Sequence, residues 1–316
     1  MERIALVLGA TGGIGGAVAQ RLAASGWSVR ALVRPESAAR VPAHVTPVIG
    51  DALDGGGVAA AARGAKLIVH AVNPPGYRDW DKVVLPMLDN TIAAARPQGA
   101  KVLLPGTVYN YGTDSFPLID EAAPQHPLTR KGAIRAEMEH KLHGAAKAGD
   151  IHALIVRAGD FFGPGAANNW FAQGLVKPGS RPDVIRNPGE RGIGHQWAYL
   201  PDVAETMIRL IERDTAQGFE TFHMDGHWDP TGTAMVEAIM QALGKPQVRI
   251  AHLPWWLLSL ASIVAVTPRE LMDMRYLWQQ PIRLNNARLV ATLGAEPHTP
   301  LANAVSTTLA AMGCMS

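Results

Sequence analysis

The stretch "RIALVLGATGGIGGAVAQRLAAS", residues 3–25, leaves few ways for a chain to fold. Its opening run of Ile, Ala, Leu and Val reads as a strand buried on both faces, and the run from Gly13 onward reads as a helix. Between them Gly9, Gly12 and Gly15 stand at the spacing GxxGxxG. The first glycine permits a tight turn, the second lets backbone approach a bound group, and the third lets helix pack on strand. Amide groups at a helix N-terminus, together with the helix dipole, attract an anion. In this strand–turn–helix context the expected ligand is a dinucleotide pyrophosphate.

The same alternation continues through the first half. Apolar runs "SVRALVR" (28–34), "VTPVIGD" (45–51), "KLIVHAV" (66–72), "KVLLPG" (101–106) and "IHALIVR" (151–157) are separated by helical patterns, among them 79–96 and about 129–148. Such strands predict a parallel sheet covered on both faces, and right-handed crossovers then make it an α/β, doubly wound Rossmann sheet. Residues 1–157 are expected to form this dinucleotide-binding core. Residues 158–316 are expected to mix returning sheet elements, such as "FETFHM" (219–224), with a smaller, mainly helical substrate lobe. In "TPLANAVSTTLAAMG" (299–313), Thr299 is the expected N-cap and Pro300 the first helical residue.

Composition narrows the function classes. The net charge of the 316 residues is +2 and their basic residues are scattered, so no nucleic-acid stripe is expected. Eleven histidines fall in no HExxH or His/Cys cluster, and no metal is expected. The single cysteine, Cys314, excludes a disulfide framework within one chain, and with no signal-peptide pattern a cytoplasmic location fits. The apolar stretch "LPWWLLSLASIVAVTP" (253–268) is shorter than the ~20 residues of a membrane span. It is expected to be a buried helix of the smaller lobe, with a membrane-surface patch or dimer contact as the other readings.

The end of the second strand bears on the choice of dinucleotide. A NAD site there usually offers an acidic residue to the ribose 2′-hydroxyl. Here Arg34 occupies the place, and a guanidinium can pair with a 2′-phosphate. NADP is therefore expected, with NAD as the alternative because Glu36 lies two residues on.

"GATGGIG" (9–15), "GDALD" (50–54), "GTVYNYG" (106–112), "RAGDFFGPG" (157–165) and "YLPDVAETM" (199–207) follow in the order found in extended short-chain dehydrogenase/reductases. Over nearly its whole length the chain resembles the NAD(P)-dependent epimerase/dehydratase superfamily. The resemblance implies that Gly9, Thr11, Gly12, Gly13, Ile14, Gly15, Arg34, Asp51, Ala52 and Ala71 hold the cofactor. It implies that Asp160, Phe161 and Phe162 border the nicotinamide, and that Thr107 bonds a substrate oxygen. Either Tyr109 or Tyr111 matches the family's strand-five tyrosine. A homodimer through the active-site helix is expected by analogy.

The family's YxxxK pair should follow in "HPLTRKGAIRAEMEHKL" (126–142), and this stretch has no tyrosine. Lys131 and Arg135 stand at the matching spacing, four apart on one helix face. Three readings stay open. Lys131 is the acid/base, its pKa pulled down by Arg135 and oxidised nicotinamide; or Tyr109 or Tyr111 supplies the hydroxyl; or the site is silent and both cations are surface charge.

Trp170, Phe171, Trp197, Phe161, Phe162 and the segment with Trp255 and Trp256 are candidate walls of an apolar pocket. His195 is its expected polar group. Only Arg181, Arg186 and Arg191 are near enough in sequence to clamp a diphosphate. The reading is thus an NADP(H)-dependent oxidoreductase reducing an apolar or aromatic carbonyl, activated C=C or C=N substrate. The alternatives are a silent NADP(H)-binding sensor or scaffold, and a sugar-nucleotide epimerase- or dehydratase-like enzyme.

Overall fold

The computed structural model describes residues 2–74, 80–166, 169–213, 218–244, 248–263 and 266–315. In chain order the first half contains β1 (Ile4–Leu8), α1 (Gly13–Ala24), β2 (Ser28–Val33), β3 (Thr46–Ile49), α2 (Gly55–Ala61), β4 (Leu67–His70), α3 (Trp80–Ala95), β5 (Lys101–Gly106), β6 (Leu118–Ile119), α4 (Arg130–Lys147) and β7 (His152–Arg157). Then come β8 (Asp160–Phe162), β9 (Val184–Asn187), β10 (His195–Tyr199), α5 (Leu200–Glu212), β11 (Phe219–His223), β12 (His227–Asp229) and α6 (Ala234–Ala242). The chain closes with β13 (Arg249–His252), α7 (Trp255–Ala261), α8 (Val266–Asp273), β14 (Arg283–Leu284), α9 (Ala287–Leu293) and α10 (Leu301–Ala311).

The main sheet runs β11-β7-β5-β4-β1-β2-β3, every neighbouring pair parallel. Alternation along β1 sorts its side chains onto two faces. Ala5 and Val7 join α1 and α5 in one core, through Val18, Leu22, Val203 and Met207. Leu6 and Leu8 join α2, α3 and α4 in the other, through Val58, Leu88, Met138 and Leu142. This period of two is what a strand covered on both faces requires. Each fully buried Leu or Val contributes about 1.5–3 kcal/mol. The chain first builds β1 to β3 on one side and then reverses to β4, so the crevice between β1 and β4 is the switch point of the sheet.

The expected strand at 219–224 is β11 (Phe219–His223), the seventh strand of this sheet, paired in parallel with β7 from Phe219–Ala153 to His223–Arg157. Outside the sheet, β8 pairs parallel to β10, which pairs antiparallel to β12. Two short parallel ladders, β9–β13 and β6–β14, tie later segments to earlier ones.

Two local expectations are corrected. Thr299 is not the cap of the last helix, because Asp202 takes both its N–H and its hydroxyl at 2.7 Å, and α10 starts beyond Pro300. The apolar stretch 253–268, whose residues 264 and 265 lie outside the described residues, is not a buried helix. Its Trp256 is 66% exposed and Ile263 72%, and α7 buries none of its residues. No helix among the described residues is long and apolar enough to cross a membrane.

Candidate functional site

At the switch point Gly9 adopts φ +91°, and a Cβ there would run into the Ala71 carbonyl. A Cβ on Gly15 would run into the Gly9 carbonyl. Gly12 turns back through its N–H to the Gly9 carbonyl (3.0 Å) and precedes α1 with no side-chain cap. Thr11, Gly13 and Ile14 complete the turn, and a Cβ on Gly13 would lie about as close as packing allows to Leu200 and Ala166. The result is a bare helix N-terminus with backbone on both sides, which fits a pyrophosphate.

Beyond the turn, Arg34 is exposed at the end of β2 and its Nε lies 3.3 Å from Glu36 Oε1. The two residues expected to bear on the choice of dinucleotide therefore hold each other, in a surface pair worth at most about 1 kcal/mol. Asp51 accepts the N–H of Leu53 (2.9 Å), and the Ala52 carbonyl accepts from Asn90 (2.9 Å). Ala71 lines the crevice from the β4 side.

The loop after β5 and the start of α4 come together next. Thr129 caps α4 by accepting the Gly132 N–H at 3.1 Å. Gly132 packs so close to the Tyr109 carbonyl that any Cβ would collide with it. Lys131 follows the cap, 6% exposed, with its Nζ 2.7 Å from Glu270 Oε2 on α8. Burial holds its pKa below the usual lysine range, against Glu270 and Asp273, which push it up. Arg135 is not the neighbour responsible. Its guanidinium lies over Trp80 (5.3 Å), and its buried Nε has no hydrogen-bond partner among the described residues. Burial, seconded by the charge of Arg135, brings His70 down to about 3.

Beneath the β5 loop lies a buried polar network. The Thr107 hydroxyl donates to Asn110 Oδ1 (2.6 Å), and Asn110 Nδ2 donates to Glu139 (2.9 Å) and Gln125 (3.1 Å). Arg157 meets both Glu139 oxygens at 2.8 Å and donates to the Thr107 carbonyl at 2.7 Å. Tyr111 belongs to this interior. It is 1% exposed, its hydroxyl lies 3.2 Å from His223 Nε2, and burial pushes its pKa up. That corrects its candidacy as a proton source: its oxygen is spent inside the protein, whereas Tyr109, two residues earlier, stays half-buried beside α4.

On the lobe side, His195 Nε2 lies 2.9 Å from Asp160 Oδ2, and its ring stacks on Trp278 at 3.7 Å. Trp170 meets Trp278 edge-on at 5.3 Å and Trp255 at 6.0 Å. A cavity of about 10 Å³ behind His195 is lined by Trp197, Asp229 and Met235 among others, room for little more than a water. Phe162 is corrected from pocket wall to core: it is fully buried among Phe171, Trp197, Tyr199 and His227. Phe171 is equally buried, Trp197 backs His195 from the same core, and Phe161 packs partly buried on the sheet cluster. Of the lobe arginines, Arg181 is tied to the Leu243 carbonyl.

The structure thus gathers Thr107, Tyr109 and Lys131 around the β5 loop, and Asp160, His195 and Trp170 along the lobe. It adds residues that motif reading missed. Glu270, Glu139, Asn110 and Tyr276 carry no local sequence signal, since each is defined by a partner remote in the chain. The turn Arg275–Trp278 holds three buried polar atoms without a partner among the described residues: Arg275 Nε, Tyr276 Oη and Trp278 Nε1.

Comparison with solved structures gives the same fold at low identity. The crystal structure of gox2253 shares 21% identity at a TM-score of 0.76, with 100% of each chain covered. UDP-glucuronic acid 4-epimerase from Bacillus cereus in complex with NAD shares 17% at 0.75, covering 98% of this chain and 96% of that one. UDP-glucose 4-epimerase from Thermus thermophilus in complex with NAD shares 20% at 0.71, covering 98% of both. No curated protein matches the chain. The model of the NAD dependent epimerase/dehydratase family matches residues 5–224, from β1 through the end of the seventh sheet strand. The chain belongs to the NAD dependent epimerase/dehydratase family.

Proposed function

We propose that this chain is an NADP(H)-dependent oxidoreductase that reduces an apolar or aromatic carbonyl, activated C=C or C=N substrate. The observation that carries the reading is the buried Lys131–Glu270 pair at the helix position where the family's proton donor is expected. A bound reduced nicotinamide supplies hydride. Lys131 supplies the proton: its ammonium releases one to the developing alkoxide, enolate or amide, and burial makes that release easier. Glu270, 21% exposed, links Lys131 to solvent, from which the amine recovers its proton. Thr107 and Tyr109 stand beside this pair on the β5 loop, and Trp170, Trp278 and His195 form the apolar side.

NADP preference is part of the proposal and rests on Arg34. Its acidic partner there is an exposed Glu36, which a 2′-phosphate can replace at little cost.

A second reading is favoured by the NAD-bound sugar-nucleotide epimerases among the similar structures. It needs a diphosphate clamp, and Arg181 is already engaged by backbone while Arg186 and Arg191 are exposed. Screening NADPH and NADH oxidation with aldehydes, quinones, enones and imines, and UDP-glucose turnover alongside, separates the readings. NADPH loss with a member of the first group supports the proposal, and turnover confined to UDP-glucose rejects it. Cofactor binding without turnover on any class would leave a sensor or scaffold.

A further inference from the structure

Buried polar atoms are rarely left without hydrogen bonds, because each costs about 1–3 kcal/mol of desolvation. Among the described residues three such atoms lie in one four-residue turn, Arg275–Trp278. The turn packs between His195 and Phe116. Trp278 stacks on His195, whose Nε2 meets Asp160. The Tyr276 ring stacks on Phe116 at 6.4 Å, beyond the β5 loop. The groups that act electrostatically on its hydroxyl are Tyr109 and Asp160, one from each side of the candidate site.

From this geometry we infer that Tyr276 Oη is a substrate-binding hydrogen-bond donor, which recognises an oxygen of an aromatic carbonyl compound bound between the β5 loop and the lobe. The inference rests on the oxidoreductase reading for the place of the substrate and narrows that substrate to one with an oxygen acceptor. Burial, Tyr109 and Asp160 all keep the phenol protonated, far above its usual range, so it donates a hydrogen bond and does not titrate. It is a binding group, distinct from the proton source at Lys131.

Tyr276→Phe keeps the ring and removes only the oxygen. If the hydroxyl had a structural partner, its loss would lower the Tm; an orphaned hydroxyl predicts an equal or higher Tm. The probe is trans-cinnamaldehyde, titrated with NADP+ present by quenching of tryptophan fluorescence, with trans-β-methylstyrene as the matched compound lacking oxygen. The expected result is an unchanged or raised Tm, aldehyde binding weakened about tenfold or more, and equal styrene binding by wild type and variant. A lowered Tm, an unchanged aldehyde affinity, or no aldehyde binding by the wild type overturns the inference. Tyr276-dependent binding without any NADPH oxidation by the wild type would reject the reductase reading and uphold the oxygen site.

Discussion

Among the described residues two ion pairs close to the β5 loop are built differently. Arg157–Glu139 is 0% and 5% exposed and bidentate, with both carboxylate oxygens also taken by Asn110 and Gln125. Lys131–Glu270 is 8% and 21% exposed and joins α4 to a helix of the lobe at 2.7 Å. A fully satisfied pair cannot lose a member without stranding a charge, so it holds shape. A partly wet pair can exchange protons with solvent. The first fixes the Thr107 carbonyl and Asn110 under the β5 loop; the second stands at the edge of that loop with a perturbed lysine.

Damage to the two pairs should separate into activity and stability. Lys131→Met should lower kcat by about 10²–10⁴ while the cofactor Kd changes little, since general acid–base catalysis has that size. Tyr109→Phe and Tyr111→Phe are the controls, and a crippled Tyr109→Phe beside an active Lys131→Met would move the proton source to the β5 loop. Glu139→Ala should cost about 3–5 kcal/mol in urea unfolding, because it leaves Arg157 buried and uncompensated. A cost below about 1 kcal/mol would show that water replaces the carboxylate and that the two pairs are alike.

Glu270→Gln sharpens the comparison through pH. The charged groups that act on Lys131 are Glu270 and Asp273 on α8. Removing the Glu270 charge leaves burial less opposed, so Lys131 should lose its proton at lower pH. The alkaline limb of kcat/KM should then move down in pH, whereas a purely structural Glu270 would scale the whole profile without moving it. The smallest effect is expected at the far end of the cleft. Arg34→Ala should weaken NADPH about tenfold and leave NADH nearly unchanged, by calorimetric titration. Equal losses for both cofactors would assign Arg34 to surface charge.

Much of the Rossmann half is legible in local sequence. The turn from Gly9 to Gly15 is specified by sterics within seven residues: only glycine fits against the Ala71 and Gly9 carbonyls. The strand runs and the α4 helix with its Thr129 cap are equally local, since a two-residue or a 3.6-residue period reports the covering of a face. Lys131 and Arg135 could be placed on one helix face for that reason.

The partners of those residues could not be placed in the same way. Lys131 and Arg135 share spacing and charge, yet one faces Glu270 and the other Trp80, because α8 and α3 approach different turns of α4. Tyr109 and Tyr111 are equivalent in a motif, and the Arg157–His223 interior claims only the second. Phe162 has the aromatic character of a pocket wall, but other rings surround it completely; Trp256 has that of a core residue and remains open. Hydrophobicity measures the gain from being covered and does not say what covers a side chain. Sterics and periodicity act over a few residues and so survive in the sequence, whereas burial, ion-pair partners and orphaned donors arise only when remote elements pack.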